Sequence, residues 1–276
     1  MVPVTIFENF RVRRLEKIVA LNLALEGNRE EISKEESEST IVSNLVSVEG
    51  RKSIGDGYVD TNKGNGLLIT TDGFILTAYH IIEQHLDDWK KIKDKGIPRW
   101  NFRKWAKDIE KKYHVFDQNG NRYPIDITWY AKNSSLDIAL IKAIIPRRKP
   151  RPIMFRILED ELQSEQVVKL VGLQDDVLSG RYGKVKYNKI NAPNLIFNDG
   201  EKTISDSFLT TVQGGNGMSG GVYITENGEL AGIHIYGIKN GDILTGDGGG
   251  VRMRNVLKLV KKAVYSFNKN YLLDDG

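Results

Sequence analysis

Short apolar runs separated by turn residues dominate the chain from Thr40 onward. Asp72-Gly73 separates two such runs, and Asn119-Gly120 and Asn227-Gly228 are placed in the same way. These dipeptides accept the positive φ angles that tight hairpins need. The pattern therefore predicts short antiparallel strands in two sets, one on each side of the proline- and arginine-rich segment 145–152. Two sets of this kind form either two β-barrels or two β-sandwiches.

Helical spacing of apolar residues replaces the strand pattern at both ends of the chain. Residues 10–25 place several apolar side chains near one face of a short helix, and we interpret the acidic stretch 29–40 as a linker or surface segment. From residue 250 onward the spacing predicts a C-terminal helix. Its expected buried stripe comprises Val251, Val256, Leu259, Val260, Ala263 and Val264.

Residues 83–112 interrupt the first set of strands with a dense mixture of basic and acidic residues and three interleaved tryptophans. We interpret this insert as one or two amphipathic helices that pack their tryptophans on the strands. The same composition is compatible with binding of single-stranded nucleic acid or of an acidic partner. The acidic residues dilute the positive charge, which makes nucleic acid the less favoured of these interpretations.

Composition narrows the class of protein. Among the 276 residues, 40% are hydrophobic and 28% are charged, which is ordinary for a globular protein in water. The chain has no cysteine, which excludes disulfides and a cysteine nucleophile. No apolar run approaches the roughly 18 residues of a membrane span, and no cleavage site follows the apolar stretch after Arg13-Arg14. We therefore expect a cytoplasmic protein that does not bind membranes.

The glycine-rich octet at 214–221 is the first candidate for chemistry. Ser219 lies among glycines, which lack a Cβ and let the backbone turn sharply. Such a turn can aim the main-chain N–H groups of Gly217 and Ser219 at one point beside the serine hydroxyl, as in an oxyanion hole. Glycine-rich turns with a serine are common in loops, so the interpretation requires a base and an acid elsewhere.

His80 and Asp137 are the candidates for the base and the acid. His80 follows the apolar run that begins at Phe74, and Asp137 opens the apolar run 137–141. An acid at the edge of a buried strand must be hydrogen-bonded, and an imidazole N–H is a suitable donor. The remaining histidines lack the spacing of metal ligands, and we expect neither a metal nor a cofactor.

Three motifs in this order resemble the trypsin-like (chymotrypsin-fold) peptidases, and above all the Deg-type branch, which lacks disulfides. They are the passage 64–80 that ends in Leu-Thr-Ala-Tyr-His, the Asp-Ile-Ala-Leu run at 137–140, and the Gly-Met-Ser-Gly-Gly turn at 217–221. The resemblance covers roughly residues 40–263. It implies Ser219 as the nucleophile, His80 as the general base, Asp137 as the residue that orients it, and the amides of Gly217 and Ser219 as the oxyanion hole.

The resemblance also implies a fold. We expect an all-β protein of two antiparallel six-stranded β-barrels, with an N-terminal helical arm, a helical insert after His80 and a C-terminal helix. Because the chain ends shortly after that helix, we expect no PDZ domain. The predicted domain boundaries are 1–39 for the arm and acidic linker, 40–145 for the first barrel with its insert 83–112, 146–153 for the joint, 154–249 for the second barrel, and 250–276 for the C-terminal helix and tail.

We expect residues 230–237 to form a strand that determines substrate specificity. In the family this strand pairs with the substrate backbone, which implies main-chain contacts from Ile235, Tyr236 and Gly237. The sequence Gly-Ile-His that ends at His234 resembles glutamyl endopeptidases and picornaviral proteases, in which that histidine recognises Glu or Gln at P1. Gly214 stands where those families use threonine or serine. The alternative is that His234 packs beneath the pocket without touching substrate.

Two functional hypotheses follow. The first is a serine endopeptidase that acts on protein or peptide substrates through an acyl-enzyme. The second is a catalytically silent protease-fold module that holds partner proteins through the N-terminal arm or the 83–112 insert. One departure from the family has no explanation in the sequence: Met218 precedes the expected nucleophile, where many relatives have Asp or Asn.

Overall fold

The computed structural model describes residues 14–24, 32–54, 58–83, 113–126, 129–146, 148–197, 200–240 and 243–273. Within these ranges the chain is mostly β, with two groups of antiparallel strands and three helices. The predicted helical insert lies outside the described residues, apart from Glu83. None of the described helices is long and apolar enough to cross a membrane.

The first group is a seven-stranded antiparallel sheet in the order β5-β4-β1-β2-β3-β7-β6. Its strands are β1 (Leu45–Ile54), β2 (Tyr58–Leu68), β3 (Phe74–Ala78), β4 (Tyr113–Phe116), β5 (Arg122–Pro124), β6 (Ala131–Asn133) and β7 (Ile138–Lys142). The Asp72-Gly73 turn joins β2 to β3 as predicted. A Cβ at Gly73 would lie 2.2 Å from the carbonyl oxygen of Ala143, and φ is +115° there, so this turn requires glycine.

The first sheet differs from the predicted six-stranded barrel in how it closes. Strand β6 pairs with residues 138–140 of β7, while the chain beyond β5 reaches β7 only at its far end. There a single bridge joins Ile125 to Ala143, and the N–H of Asp126 donates to the carbonyl of Lys142 at 2.7 Å. The sheet therefore has seven strands with β5 and β6 at its two edges, and a bridge rather than a ladder joins the chain after β5 to the chain after β7.

The second group is the predicted closed barrel of six antiparallel strands, in the order β10-β13-β12-β11-β8-β9. Its strands are β8 (Val167–Gln174), β9 (Val177–Phe197), β10 (Gly200–Thr210), β11 (Val222–Thr225), β12 (Leu230–Asn240) and β13 (Ile243–Arg252). Strand β9 runs unbroken for 21 residues. The first part of β9 pairs with β8 and the second with β10, and one long strand thereby links two neighbours and closes the barrel.

Three helices flank the sheets: α1 at 14–24, α2 (Lys34–Ser43) and α3 (Met253–Leu273). Residues 34–40 of the stretch interpreted as a linker or surface segment form the first part of α2, and all of them except Ser37 are at least partly exposed. The hydroxyl of Ser33 caps this helix by accepting from the N–H of Glu36 at 3.1 Å, and acidic residues occupy its first turn. Only Ser37 and Ile41 of α2 are buried. A helix that buries so few side chains needs no apolar stripe, and the sequence therefore shows no helical spacing of apolar residues there.

The C-terminal helix α3 begins three residues later than predicted, because Val251 and Arg252 still belong to β13. Its expected stripe is buried as predicted, except that Val264 is only partly buried. Near the end of α3, Phe267 packs against Trp129 and Phe74 of the first sheet, with ring centroids 5.0 and 6.4 Å away. These contacts fix the helix against the first sheet.

Candidate active site

Strand register places His80 next to Asp137. Strand β3 pairs with β7 so that Ala78 faces Ile138. The chain leaves β3 through a short 3₁₀ turn (Tyr79–Ile81) and enters β7 from a turn that ends at Asp137. Because the two strands are antiparallel, the residues after one and before the other meet at the same end of the sheet. The sheet thus brings together two residues that are 57 positions apart.

Two contacts join the side chain of Asp137 to His80, one to its ring and one to its main chain. Nδ1 of His80 lies 2.5 Å from one carboxylate oxygen of Asp137, and the main-chain N–H of His80 donates to the other at 2.9 Å. The Asp137 side chain is buried, and these bonds satisfy its oxygens. With Nδ1 as the donor, the neutral imidazole carries no proton at Nε2 and can accept one there. The His80 side chain remains 23% exposed, so the ring is accessible from solvent.

Asp137 adopts a left-handed backbone conformation, with φ at +54°. Its N–H donates to the carbonyl of Ser134 at 3.3 Å, and its own carbonyl accepts from Tyr79 at 2.9 Å. Such a conformation costs a non-glycine residue on the order of 1–3 kcal/mol, and cases of this kind cluster at functional sites. The contacts around the turn hold Asp137 in this conformation.

The glycine-rich turn approaches the first sheet from the second barrel. Gly217 and Gly220 have φ angles of +79° and +80°, and a Cβ at Gly220 would lie 1.9 Å from the carbonyl oxygen of Asn65. The N–H of Asn65 donates to the carbonyl of Ser219 at 2.6 Å. A Cβ at Gly64 would meet both that carbonyl and the side chain of Ile81. Ser219 therefore lies beside the turn that carries His80.

Two main-chain donors of the turn take no part in the hydrogen bonds that its neighbouring residues make. Met218, Gly220 and Gly221 donate their N–H groups to main-chain carbonyls at 2.8–3.1 Å. In the described part of the chain, the N–H groups of Gly217 and Ser219 have no acceptor. Two unpaired donors on either side of one residue form a site that can receive an oxyanion.

A family model for the trypsin-like peptidase domain matches residues 64–233, which is more than half of the 276-residue chain. The chain belongs to the trypsin-like peptidase family. The matched residues include His80, Asp137 and Ser219, which the strand register and the turn bring to one end of the sheets. No curated protein matches the chain.

The methionine that precedes Ser219 in this trypsin-like peptidase has a structural role. Met218 is fully buried in the core of the second barrel, in one cluster with Leu170, Phe208 and Tyr223. A Cβ at Gly172 would lie 3.1 Å from the methyl carbon of Met218, so the thioether packs tightly there. The side chain anchors the turn by apolar packing, where a charged residue would require a buried partner.

His234 lies on β12 beneath the same turn. Its main chain exchanges two hydrogen bonds with the turn, because its carbonyl accepts from Gly220 and its N–H donates to Gly221. Its ring is 2% exposed, and Nδ1 lies 2.8 Å from the hydroxyl of Tyr223. A Cβ at Gly214 would lie 2.3 Å from Nε2. Burial lowers the pKa of His234 to about 3, and the nearby His80 adds to this effect, so the ring is neutral at physiological pH.

The substrate-strand residues occupy a free edge of β12. Strand β11 pairs with β12 only as far as Ile233, so residues 235–237 have no β11 partner in the described part of the barrel. On the other side β13 pairs with Tyr236 and Gly237. The side chains of Ile235 and Tyr236 are buried, which leaves their main chain as the group available at this edge.

Two residues at the site were missed by the sequence analysis. Asn65 contacts the turn from the first sheet, and Tyr223 holds the ring of His234. Asn65 stands inside the Gly64-Asn65-Gly66 motif, but nothing in its spacing indicates a contact 152 residues away. In the described ranges, no three His, Asp or Glu side chains converge as a metal site would require.

Proposed function

We propose that this trypsin-like peptidase is a serine endopeptidase that hydrolyses peptide bonds through His80, Asp137 and Ser219. The observation that carries the proposal is the double contact between His80 and Asp137, which fixes both the ring orientation and the tautomer. An aspartate in this position also stabilises the imidazolium that forms during the reaction. The turn does not need a charged or polar side chain at position 218, because Met218 anchors it by apolar packing.

The chemistry follows from these positions. Ser219 Oγ attacks the scissile carbonyl carbon, and His80 Nε2 takes the hydroxyl proton. The oxyanion is received by the N–H groups of Gly217 and Ser219. The C–N bond then breaks as His80 returns its proton to the leaving amine, which leaves an acyl-enzyme on Ser219. Water attacks the ester with the same base, and Ser219 is regenerated as the acid product leaves.

A fluorophosphonate probe tests the proposal, because it reacts covalently with an activated serine. We expect the folded protein to be labelled, Ser219→Ala to be unlabelled, and Ser207→Ala to be labelled as the matched control. Ser207 is a buried serine of the second barrel that lies 3.3 Å from the hydroxyl of Tyr236, away from the turn. A well-folded protein that takes up no probe would contradict the proposal.

We further propose a preference for Glu or Gln at P1, with Gln the better substrate. The hydroxyl of Tyr223 lies in hydrogen-bond contact with Nδ1 of His234, which supports Nε2 as the ring atom that would bind the substrate side chain. Gly214 leaves that edge uncovered by a side chain. A neutral imidazole donates one N–H to an amide oxygen without taking up a proton, whereas a carboxylate would favour the imidazolium, which burial opposes. Peptides that differ only at P1 test this, and equal cleavage after Gln, Leu and Arg would contradict it.

The alternative function is a catalytically silent module that binds a partner through the N-terminal arm. The observation that favours it is a stripe of three exposed apolar residues on α1: Leu15, Val19 and Leu23 are 46%, 49% and 45% exposed. They are spaced four residues apart and therefore share one helix face. This function predicts a folded protein without probe labelling, and a partner whose binding is lost in Val19→Lys.

A further inference from the structure

The geometry points to Asn65 as a positioning residue for the oxyanion hole. We propose that its side-chain amide holds the main chain of 217–219 in the conformation that directs the N–H groups of Gly217 and Ser219 at the reacting carbonyl. This inference rests on the proposed function, and it assigns to β2 of the first sheet a part in shaping a site that belongs to the second barrel.

Asn65 is fully buried, and every polar part of it is engaged. Its Nδ2 donates to the carbonyl of Gly217 at 2.7 Å and to the carbonyl of Leu173 at 3.1 Å. Its Oδ1 accepts from the N–H of Leu173 at 2.5 Å. Its own carbonyl accepts from the hydroxyl of Thr77 at 2.6 Å. An amide with both hydrogens and its oxygen satisfied has one orientation, which fixes the direction of the bond to Gly217.

Asn65 donates hydrogen bonds to the turn at two points. The side chain holds the carbonyl of Gly217, and the main-chain N–H holds the carbonyl of Ser219. The carbonyl between them, that of Met218, accepts from Gly221. Three consecutive carbonyls are therefore fixed, and the N–H of Ser219 is directed by the peptide groups on both sides. Rotation of the Gly217–Met218 peptide would require the loss of the bond from Asn65.

Gly217 needs such a restraint more than its neighbours do. Its φ is +79°, and a Cβ built on it would meet nothing within 4 Å, so neither a side chain nor close packing limits its rotation. The Gly217–Met218 peptide has one further hydrogen bond on its N–H side, from Met218 to the carbonyl of Gly215 at 3.1 Å. The hydrogen bond from Asn65 is the contact that acts on the carbonyl of Gly217 in the described part of the chain.

The pairing with Leu173 explains why an amide, rather than a hydroxyl or a carboxylate, suits this position. The amide donates to and accepts from the same residue of β8, as a neighbouring strand would. A carboxylate would retain the acceptor for the N–H of Leu173 but place an oxygen against the carbonyls of Gly217 and Leu173. Asn65→Asp therefore changes the interaction with the turn while side-chain size stays the same.

The test compares Asn65→Asp and Asn65→Ala with Ser37→Ala. Ser37 is also fully buried, and its hydroxyl links the N–H of Arg156 to the carbonyl of Gly228, on the far side from the turn. Donors to the oxyanion act in the transition state and little in the ground state. We expect both Asn65 variants to lose at least about tenfold in kcat, towards the ~10²–10³-fold that removal of one oxyanion donor costs. KM should stay within about threefold of the wild-type value on that argument.

A second readout separates positioning from general destabilisation. A peptide aldehyde forms a hemiacetal with Ser219 that uses the oxyanion hole, whereas the corresponding peptide alcohol has no carbonyl and does not. We expect the aldehyde to lose affinity in step with kcat, and the alcohol to bind unchanged. Ser37→Ala should lower Tm by a similar amount and leave both affinities unchanged. Asn65 variants that lose only Tm, with kcat and aldehyde affinity retained, would overturn the inference.

The proposed function and this inference fail in different ways. A wild-type protein that neither takes up the fluorophosphonate nor cleaves peptides contradicts the proposed function. The crystal structure of Asn65→Asp then tests the inference by itself, since positioning predicts a rotated Gly217–Met218 peptide. An unchanged peptide orientation in that structure would overturn the inference whether or not the protein is active.

Discussion

The dyad of His80 and Asp137 and the turn of Ser219 are built by different means. The dyad depends on the register of two adjacent strands of one sheet, β3 and β7, and its contacts lie within that sheet. The turn depends on contacts between the sheet and the barrel. Met218 is buried in the core of the second barrel, and Asn65, which holds the turn from the other side, belongs to the first sheet. The dyad is thus a property of the first sheet, and the nucleophile turn is a property of how the two halves pack.

This difference determines how substitutions in the dyad and in the turn affect activity and stability. A side-chain change in the dyad removes a chemical group and leaves the strand pairing that positions it. A change in the turn alters the position of the main chain, because positive φ angles and close backbone contacts define its shape. Substitutions in the dyad should therefore lower activity without much loss of stability, and substitutions in the turn should lower both.

Among the proposed substitutions, Asp137→Asn should lower kcat most. It should disrupt the His80–Asp137 dyad and leave the turn of Ser219 unchanged. The amide can still accept from the N–H of His80, but its NH₂ group faces Nδ1, which favours the tautomer with the proton on Nε2. We expect kcat to fall by about 10⁴-fold, while Tm changes by a few degrees at most. Steady-state kinetics and thermal melts measure the two. A variant that keeps more than a tenth of the wild-type kcat would contradict the assigned role of Asp137.

Gly220→Ala should break the turn. The new Cβ would lie 1.9 Å from the carbonyl oxygen of Asn65, at a φ of +80° that disfavours any side chain. We expect kcat/KM to fall by at least about 10²-fold because the oxyanion donors shift, together with a clear loss of Tm. Gly120→Ala is the matched control, since φ is +77° there and a Cβ would meet nothing within 4 Å. Equal effects of the two substitutions would show that backbone strain, and not the contact with Asn65, is responsible.

The contrast between local motifs and distant contacts also determines which features could be predicted from the sequence. His80 follows a strand, Asp137 precedes one and Ser219 lies in a glycine turn, so all three stand in local motifs that a sequence displays. The family and the two-part β fold are confirmed. The catalytic roles of these residues stay predictions, because the contacts place the groups but do not measure a reaction.

Features that depend on distant pairing were not predictable. The seventh strand of the first sheet is the short β6, which pairs with β7, and no pattern within a short strand indicates its partner. Helix α2 has two buried residues and an acidic first turn, which resemble a linker in composition. Asn65 was visible only as part of a glycine motif. Its role depends on contacts with residues more than 100 positions away.

Substitution of Met218 separates packing from charge in the turn. Met218→Leu conserves volume and should cost less than about 1.5 kcal/mol of unfolding free energy, with activity retained. Met218→Asp would place a carboxylate in the core of the second barrel. We expect that variant to lose about 3 kcal/mol or more. Urea unfolding measures both, and a stable, active Met218→Asp would contradict the role of apolar packing.

The pH dependence of stability should report on His234. The folded pKa of His234 is lowered to about 3 from the ordinary 6.5, so between these values the unfolded chain binds a proton that the folded protein does not. Stability from this residue is therefore complete above pH 6.5 and is lost as pH falls towards 3, by up to about 1.4 kcal/mol per pH unit. Urea unfolding between pH 7 and pH 4 should show this slope in the wild type and a smaller slope in His234→Gln. Tyr223→Phe keeps the buried ring and should keep most of the slope. If His234→Gln retains the full wild-type slope, the ring of His234 takes up its proton as readily in the folded protein as in the unfolded chain, and the argument for Gln over Glu at P1 fails with it.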